Sequence, residues 1–196
     1  MLKRLFDLIA SIIGLIILLP IFLIIAIIIK TNSKGPVFYR QWRVGLNNSE
    51  FRVFKFRSMY MDADKRGLLT VGGRDPRVTP IGYYLRKYKI DELPQLINVL
   101  IGDMSLVGPR PEVRKYVDYY TAEQMKVLTV KPGMTDNASI EFIDENELLS
   151  KAEDPEEYYI KELIPLKTKI YLAYVENQSF LIDLQIIFKT VVKIFR

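Results

Sequence analysis

The stretch RKYKIDELPQLINVLIGDMSLVGPRPE, residues 86–112, sets two adjacent carboxylates, Asp91 and Glu92, directly before Leu93-Pro94. Arg86 precedes them, and Arg110 follows, stiffened between Pro109 and Pro111. Proline is tolerated in a helix only in the first turn, so a helix over DELPQLINVLIGD should start at or just before Asp91 and bury Leu93, Leu96, Ile97, Leu100 and Ile101. Both acids then stand at the positive helix end, where unpaired N–H groups favour carboxylates and would also favour a bound phosphate. The two arginines could supply the planar, bidentate donors that phosphate oxygens prefer. A carboxylate in such a place can attack phosphorus to give an acyl phosphate, or hold Mg²⁺ against phosphate oxygens. A plainer reading has Asp91 as an N-cap, Glu92 as a first-turn acid and Arg86 as their surface partner.

The rest of the 196 residues narrows the chemistry. Cys and His are both absent, which excludes disulfides, Cys/His zinc sites and Ser-His or Cys-His nucleophiles. Asp, Glu, Lys, Tyr and a hard metal remain. The formal charge of +5 is unevenly spread: Lys30, Lys34, Arg40, Arg43, Arg52, Lys55 and Arg57 face one acid, Glu50, in residues 30–60, whereas residues 136–162 hold ten acids against Lys151 and Lys161. That asymmetry suggests an orientation, and without an aromatic-basic RNP pattern or a recognition helix it argues against nucleic acid as a partner.

The elements that must position the dyad begin with LIASIIGLIILLPIFLIIAIII, residues 8–29, an uncharged run that as one helix would be about 33 Å long, enough to span a bilayer. Cations flank both ends, Lys3 and Arg4 before and Lys30, Lys34, Arg40 and Arg43 after, so the positive-inside bias places both ends in the cytoplasm. Pro20 lacks the N–H that the Ile16 carbonyl would accept, so a kink or break belongs there. A re-entrant helix-break-helix is preferred, and a Pro-kinked spanning helix stays open.

PVFYRQWRVG and SEFRVFKFRSM, joined by LNN, read as a β-hairpin with Gly45 near the turn. Lys55 and Arg57 share one strand face and could reach a ligand phosphate, although headgroup attraction explains most of the hairpin's cations as well. Residues 62–78 form a Gly- and Asp-rich loop without a common phosphate-loop spacing. Thr79-Pro80 starts a short helix. EVRKYVDYYTAEQMKVLTV reads as helical with Val113, Tyr116, Val117 and Tyr120 on one face, and the acidic stretch beyond KPGMT as helical with interruptions at Pro155 and Pro165. SFLIDLQIIFKTVVKIFR carries Lys189, Lys193 and Arg196 along one face and reads either as an interfacial amphipathic helix or as a core-packing helix with snorkelling cations.

Taken whole, the chain resembles a bacterial sugar transferase of the monotopic phosphoglycosyl transferase family. The resemblance rests on KRLFDLIASIIGLIILLP, GPVFYRQWRVG, FKFRSM, DPRVTPIGYYLR, DELPQLINVLIGDMSLVGPRPE and KPGMT, in family order across nearly the whole chain. It implies an α+β fold: a re-entrant membrane helix over 1–34 broken at Pro20, then a compact, mostly helical cytosolic domain over 35–196 with a small hairpin and amphipathic interfacial helices. The implied reaction moves a phosphosugar from a UDP-sugar to polyprenyl phosphate, with UMP as by-product, at the cytoplasmic face of the bacterial inner membrane. Asp91 falls at the family's nucleophile, which forms a covalent phosphosugar intermediate, and Glu92 at the acid that positions or activates the lipid phosphate. Mg²⁺, or Mn²⁺, bridges Asp91, Glu92 and the diphosphate; Arg86 and Arg110 fall at phosphate-binding positions, with Lys55 and Arg57 as further candidates. Membrane lipids are implied partners, and a homodimer is one assembly open to the chain. The departures are Leu19-Pro20 for Ser-Pro, Lys89-Ile90 for Ser-Leu, and PGMTD for PGITG, so the sugar is not carried over. Without a multi-span N-terminal extension the chain resembles the family's minimal form. Two other readings remain: a catalytically silent membrane-anchored scaffold of the same fold, and a phosphatase that transfers to water.

Overall fold

The structure, a computed structural model, describes residues 2–72 and 75–194. Gly73 and Arg74 of the Gly- and Asp-rich loop, and Arg196 of the C-terminal cationic stripe, lie outside these residues. The elements are α1 (Leu2–Asn32), the hairpin β1 (Phe38–Val44) and β2 (Glu50–Phe56), α2 (Pro80–Lys87), α3 (Gln95–Ile101), β3 (Ser105–Val107), α4 (Arg114–Val117), β4 (Gly133–Thr135), α5 (Asn137–Glu141), α6 (Glu145–Lys151), α7 (Pro155–Tyr158), α8 (Ile164–Asn177) and α9 (Phe180–Ile194). β1 and β2 pair antiparallel across the expected LNN turn, and β3 pairs with β4 in parallel. The mixture of helices with small sheets agrees with the expected α+β class.

α1 is one continuous helix from Leu2 to Asn32 with Pro20 inside it, not the expected helix-break-helix. One missing hydrogen bond to the Ile16 carbonyl costs about 3 kcal/mol. Packing at both ends of the helix offsets it. At the N-terminal end Lys3 donates to the Asp183 carboxylate (2.6 Å) and the Val107 carbonyl (3.0 Å). Arg4 donates to the Val99 and Leu100 carbonyls, capping the last turn of α3, and the buried Asp7 accepts from the Ser105 hydroxyl and the Leu106 N–H. At the other end Phe22, Ile25 and Ile29 bury against Phe56 and Leu85. Ile12, Ile13, Ile16, Leu23, Ile24 and Ile27 lie on the exposed surface of the same helix. Among the described residues α1 is the one helix long and apolar enough to cross a membrane.

The connection between α2 and β2 is close enough to specify a residue. Thr79 caps α2 by accepting from the Gly82 N–H (3.0 Å), and a Cβ on Gly82 would stand 1.9 Å from the Ser58 carbonyl oxygen. A similar contact joins the GPRP and KPGMT segments, since a Cβ on Gly133 would stand 2.1 Å from the Gly108 amide nitrogen. Backbone therefore docks on backbone beside Arg110.

Two helical expectations need correction. The long helix expected over 112–130 is α4, four residues long, followed by a 3-10 segment Gln124–Thr129. Val113, Tyr116 and Val117 are nevertheless buried as expected. The break expected at Pro165 is instead a π-helical segment, Tyr159–Leu163, that joins α7 to α8; the wider turn accommodates the proline's missing donor without ending the helix. α9 buries Asp183 and Ile186 but exposes Leu181, Leu184, Phe188, Val191 and Val192, so it packs on the core and still presents an apolar face.

Candidate active site

The α-helix after the dyad begins at Gln95, later than expected. Asp91 and Glu92 occupy a separate 3-10 turn, Ile90–Glu92, and Pro94 takes the N-cap position of α3. The reversal between α2 and this turn is made by Lys89 in the left-handed region (φ 56°), a conformation that costs a non-glycine residue on the order of 1 kcal/mol. Strain of that kind concentrates at functional sites. Leu96 is buried as expected and Ile101 is 59% exposed, while the fully buried side chains of α3 are Asn98 and Val99. The hidden polar residue explains the rotation: Asn98 accepts from the Phe54 N–H (2.8 Å) and donates to the Arg52 carbonyl (2.8 Å), bonding α3 to the edge of β2. That bond brings Lys55 of β2 over the dyad.

Three of the expected residues meet directly. Lys55 donates to Glu92 (2.8 Å), and Arg110 binds both oxygens of the same carboxylate from its two terminal nitrogens. Among the described residues the dyad's ion pairs are both made to Glu92, leaving Asp91 without one. Burial alone would raise the Glu92 carboxyl, but the charges of Arg110 and Lys55 hold it well below the usual range. Asp91 is pushed up to about 6, first by burial and then by the neighbouring Glu92 charge. Lys55 is lowered by its burial, an effect that Glu92 opposes. Arg86 and Lys89 line the same cavity, of about 710 Å³, and Arg86 donates to the Thr70 hydroxyl (2.8 Å).

Arg57 lines the same cavity as the dyad, but its guanidinium is engaged at the end of α1. Its guanidinium donates to the carbonyls of Ser33 (2.8 Å), Lys34 and Ile29 (3.4 Å), closing the C-terminus of α1. Sequence alternation placed it beside Lys55, but β2 ends at Phe56 and the strand face no longer dictates its direction. Arg57→Met is therefore expected to lower stability by about 2–3 kcal/mol, since it leaves the Ser33 and Lys34 carbonyls, just past the end of α1, without the guanidinium donor. Thermal unfolding in detergent checks this, alongside affinity for a phosphate-bearing ligand, which should stay unchanged. Weakened phosphate affinity with unaltered stability would restore the ligand role.

The donor set was tested for Mg²⁺. Among the described residues no group of three or more ligating side chains forms a closed metal site. Mg²⁺ is commonly held by one or two carboxylates together with substrate phosphates, so Asp91, buried and without an ion-pair partner, fits as a protein ligand, with Glu92 beside it already committed to two cations. A buried, unpaired carboxylate has a measurable cost. Its folded pKa of about 6 lies above the usual carboxylate range, so Asp91 contributes stability that is present at low pH and lost as pH rises through about 6. Melting curves of wild type and Asp91→Asn, in chelator, should diverge between pH 4 and 7, with wild type falling behind; added Mg²⁺ should close the gap at pH 8. Parallel curves would contradict it.

Asn98, Lys89 and Thr70 were not singled out from the sequence. The one readable signal was Asn98, the lone polar residue inside LINVLI.

Comparison with known proteins adds a separate finding. A family model described as bacterial sugar transferase matches residues 1–196. A UDP-N-acetylgalactosamine-undecaprenyl-phosphate N-acetylgalactosaminephosphotransferase of Aeromonas hydrophila is 39% identical over 96% of this chain and 42% of its own length. A UDP-glucose:undecaprenyl-phosphate glucose-1-phosphate transferase of Klebsiella pneumoniae is 41% identical over 98% of this chain and 40% of its own. The exopolysaccharide production protein PSS of Rhizobium leguminosarum bv. phaseoli is 37% identical over 97% of this chain and 94% of its own. The chain thus spans about two-fifths of the length of the first two relatives.

Proposed function

The chain belongs to the bacterial sugar transferase family, and from that premise we propose that it transfers a phosphosugar from a UDP-sugar to polyprenyl phosphate, releasing UMP. The observation that carries the reading is the division of labour in the dyad: Glu92 is locked by Lys55 and Arg110, while Asp91 stands in the same cavity with no ion pair among the described residues. An Asp91 oxygen attacks the sugar-bearing phosphorus, the P–O bond to UMP breaks, and the phosphosugar stays on Asp91 as an acyl phosphate. An oxygen of polyprenyl phosphate then attacks that phosphorus, and the Asp91 carboxylate leaves. Glu92, held ionised, positions the acceptor phosphate through the cations it organises. Arg110 keeps further N–H donors beyond the two spent on Glu92, and with Arg86 it can bind phosphate oxygens. Asp91, with Glu92 beside it, would hold Mg²⁺ or Mn²⁺, which would supply neutralisation of the diphosphate charge.

Purified protein incubated with UDP-sugars, Mg²⁺ and polyprenyl phosphate should release UMP and form a lipid-linked product. A silent scaffold would release none, and a phosphatase would release UMP with free sugar phosphate and no lipid product.

The reaction places the chain at the cytoplasmic face of the bacterial inner membrane, with the exposed apolar surface of α1 and the outer face of α9 in contact with lipid. Both ends of α1 pack on the same folded body, through Lys3 and Asp7 at one end and Phe22 to Ile29 at the other, which supports same-side ends without a helix break. Cysteines placed at Leu2 and Lys34 of this thiol-free chain should both label from the cytoplasmic side of sealed vesicles. Labelling from opposite sides would make α1 a full span.

A further inference from the structure

The cavity does not end at the dyad. Past Arg110 it continues along α8, where its wall includes Tyr120, Phe142, Glu145, Lys167 and Tyr171. Lys167 and Tyr171 are one turn apart on α8 and project from the same helix face. Tyr171 lies within electrostatic reach of Arg110, so this end of the cavity is continuous with the phosphate-binding end.

The two ends differ in chemistry. The dyad end gathers Lys55, Arg86, Lys89 and Arg110, a set suited to phosphate oxygens. The α8 end holds a closed ion pair, Lys167 to Glu145 at 2.7 Å, beside tyrosine and phenylalanine rings. Its Lys charge is already matched, so an anion gains little there. What the α8 end offers is neutral hydrogen-bonding capacity against apolar ring faces. The Lys167 ammonium retains donor capacity beyond its bond to Glu145, and its contact with the Tyr159 hydroxyl is long, 3.4 Å. Only one Glu145 oxygen receives Lys167. The Tyr171 hydroxyl is buried with no hydrogen-bond partner among the described residues. Burial holds that phenol protonated, so it remains a donor. A buried orphan hydroxyl in a cavity wall costs stability unless a ligand satisfies it.

We propose that the α8 end of the cavity reads the sugar of the donor substrate, with Tyr171, Glu145 and Lys167 hydrogen-bonding the ring's hydroxyl or acylamino groups. This rests on the transferase reading above. A pyranose fits the chemistry: it is uncharged, it carries donors and acceptors around its edge, and its C–H faces pack on aromatic rings.

Tyr171→Phe is the sharpest probe, since it removes a hydroxyl that has no partner among the described residues and should leave the melting temperature unchanged or raised. UMP release is measured for wild type and variant on UDP-sugars that are epimerised or deoxygenated at single ring positions. With the preferred sugar, kcat/KM should fall about tenfold in Tyr171→Phe. With the sugar lacking the contacted hydroxyl, wild type and variant should be equal. Glu145→Gln, which keeps shape, should reorder the same panel at a different ring position. Inhibition by UMP and KM for polyprenyl phosphate should stay within about twofold of wild type, a span within the error of a structural effect. A proportional loss on every sugar, or a change in UMP inhibition or lipid KM in place of sugar preference, would overturn the assignment. Absence of UMP release from every UDP-sugar by wild type would defeat the transferase reading itself, and this inference with it.

Discussion

Asp91→Asn abolishes both UMP release and the trapped phosphosugar adduct, lowering turnover on the order of 10³-fold or more, as loss of a nucleophile does. Asn keeps the size of the side chain and its place on the 3-10 turn, and among the described residues no ion pair to Asp91 is lost. Folding should therefore survive, and in chelator near neutral pH the variant should melt higher than wild type, because the carboxylate is buried at a cost. Loss of activity together with gained stability separates a nucleophile from a structural cap. Glu92→Gln should behave in the opposite way: it leaves Lys55 and Arg110 without their shared anion, lowers stability, and spares adduct formation more than the lipid-dependent second step. The deciding experiment is a brief incubation with UDP-sugar labelled in the sugar and no lipid acceptor, followed by peptide mapping. Label on Asp91 supports the mechanism. Label elsewhere, or lipid-linked product at wild-type rate from Asp91→Asn, would return Asp91 to a structural role.

Much of this site was legible before any coordinates, and the reasons are local. The adjacent acids, the proline after them and Arg86 are close in sequence, and short-range sterics at Lys89 and Pro94 hold them close in space, whereas Arg110 is brought in by the docking of Gly108 on Gly133. Lys55 was reachable from hairpin alternation, because β2 remains regular to Phe56. One residue later that argument expires, and Arg57 turns to α1. Its partners, the carbonyls of Ser33 and Lys34, are non-local in a way that no periodicity encodes. The same holds for Asp7, whose acceptance from Ser105 and Leu106 ties a carboxylate of the apolar helix to β3, almost a hundred residues away in sequence. Helix lengths failed where apolar spacing was right but chain direction changed, as between Val117 and Gln124. Val113, Tyr116 and Val117 bury because of the core they meet, and a single turn of helix suffices for that.

Arg110→Lys lowers kcat/KM by about 100-fold, while Arg110→Gln lowers it further. In wild type the guanidinium engages both oxygens of Glu92, with Lys55 donating to one of the same oxygens, and the planar fork still has N–H groups to offer a phosphate. An ammonium keeps the charge but cannot hold a carboxylate in a two-point grip and face a second anion along a fixed plane. If charge alone mattered, Lys would restore most of the activity and Gln little. If the fork matters, both fail, and Lys fails with a raised KM for the UDP-sugar. A stability control distinguishes phosphate binding from support of Glu92: in the Gln variant the Glu92 carboxyl rises from its depressed position, because Arg110 is the largest influence lowering it. A depressed carboxyl contributes stability above its unfolded pKa, so that variant should lose its deficit as pH falls below about 4. Wild-type kinetics in Arg110→Lys would show that the guanidinium plane has no part in the reaction and that Arg110 serves Glu92 by charge alone.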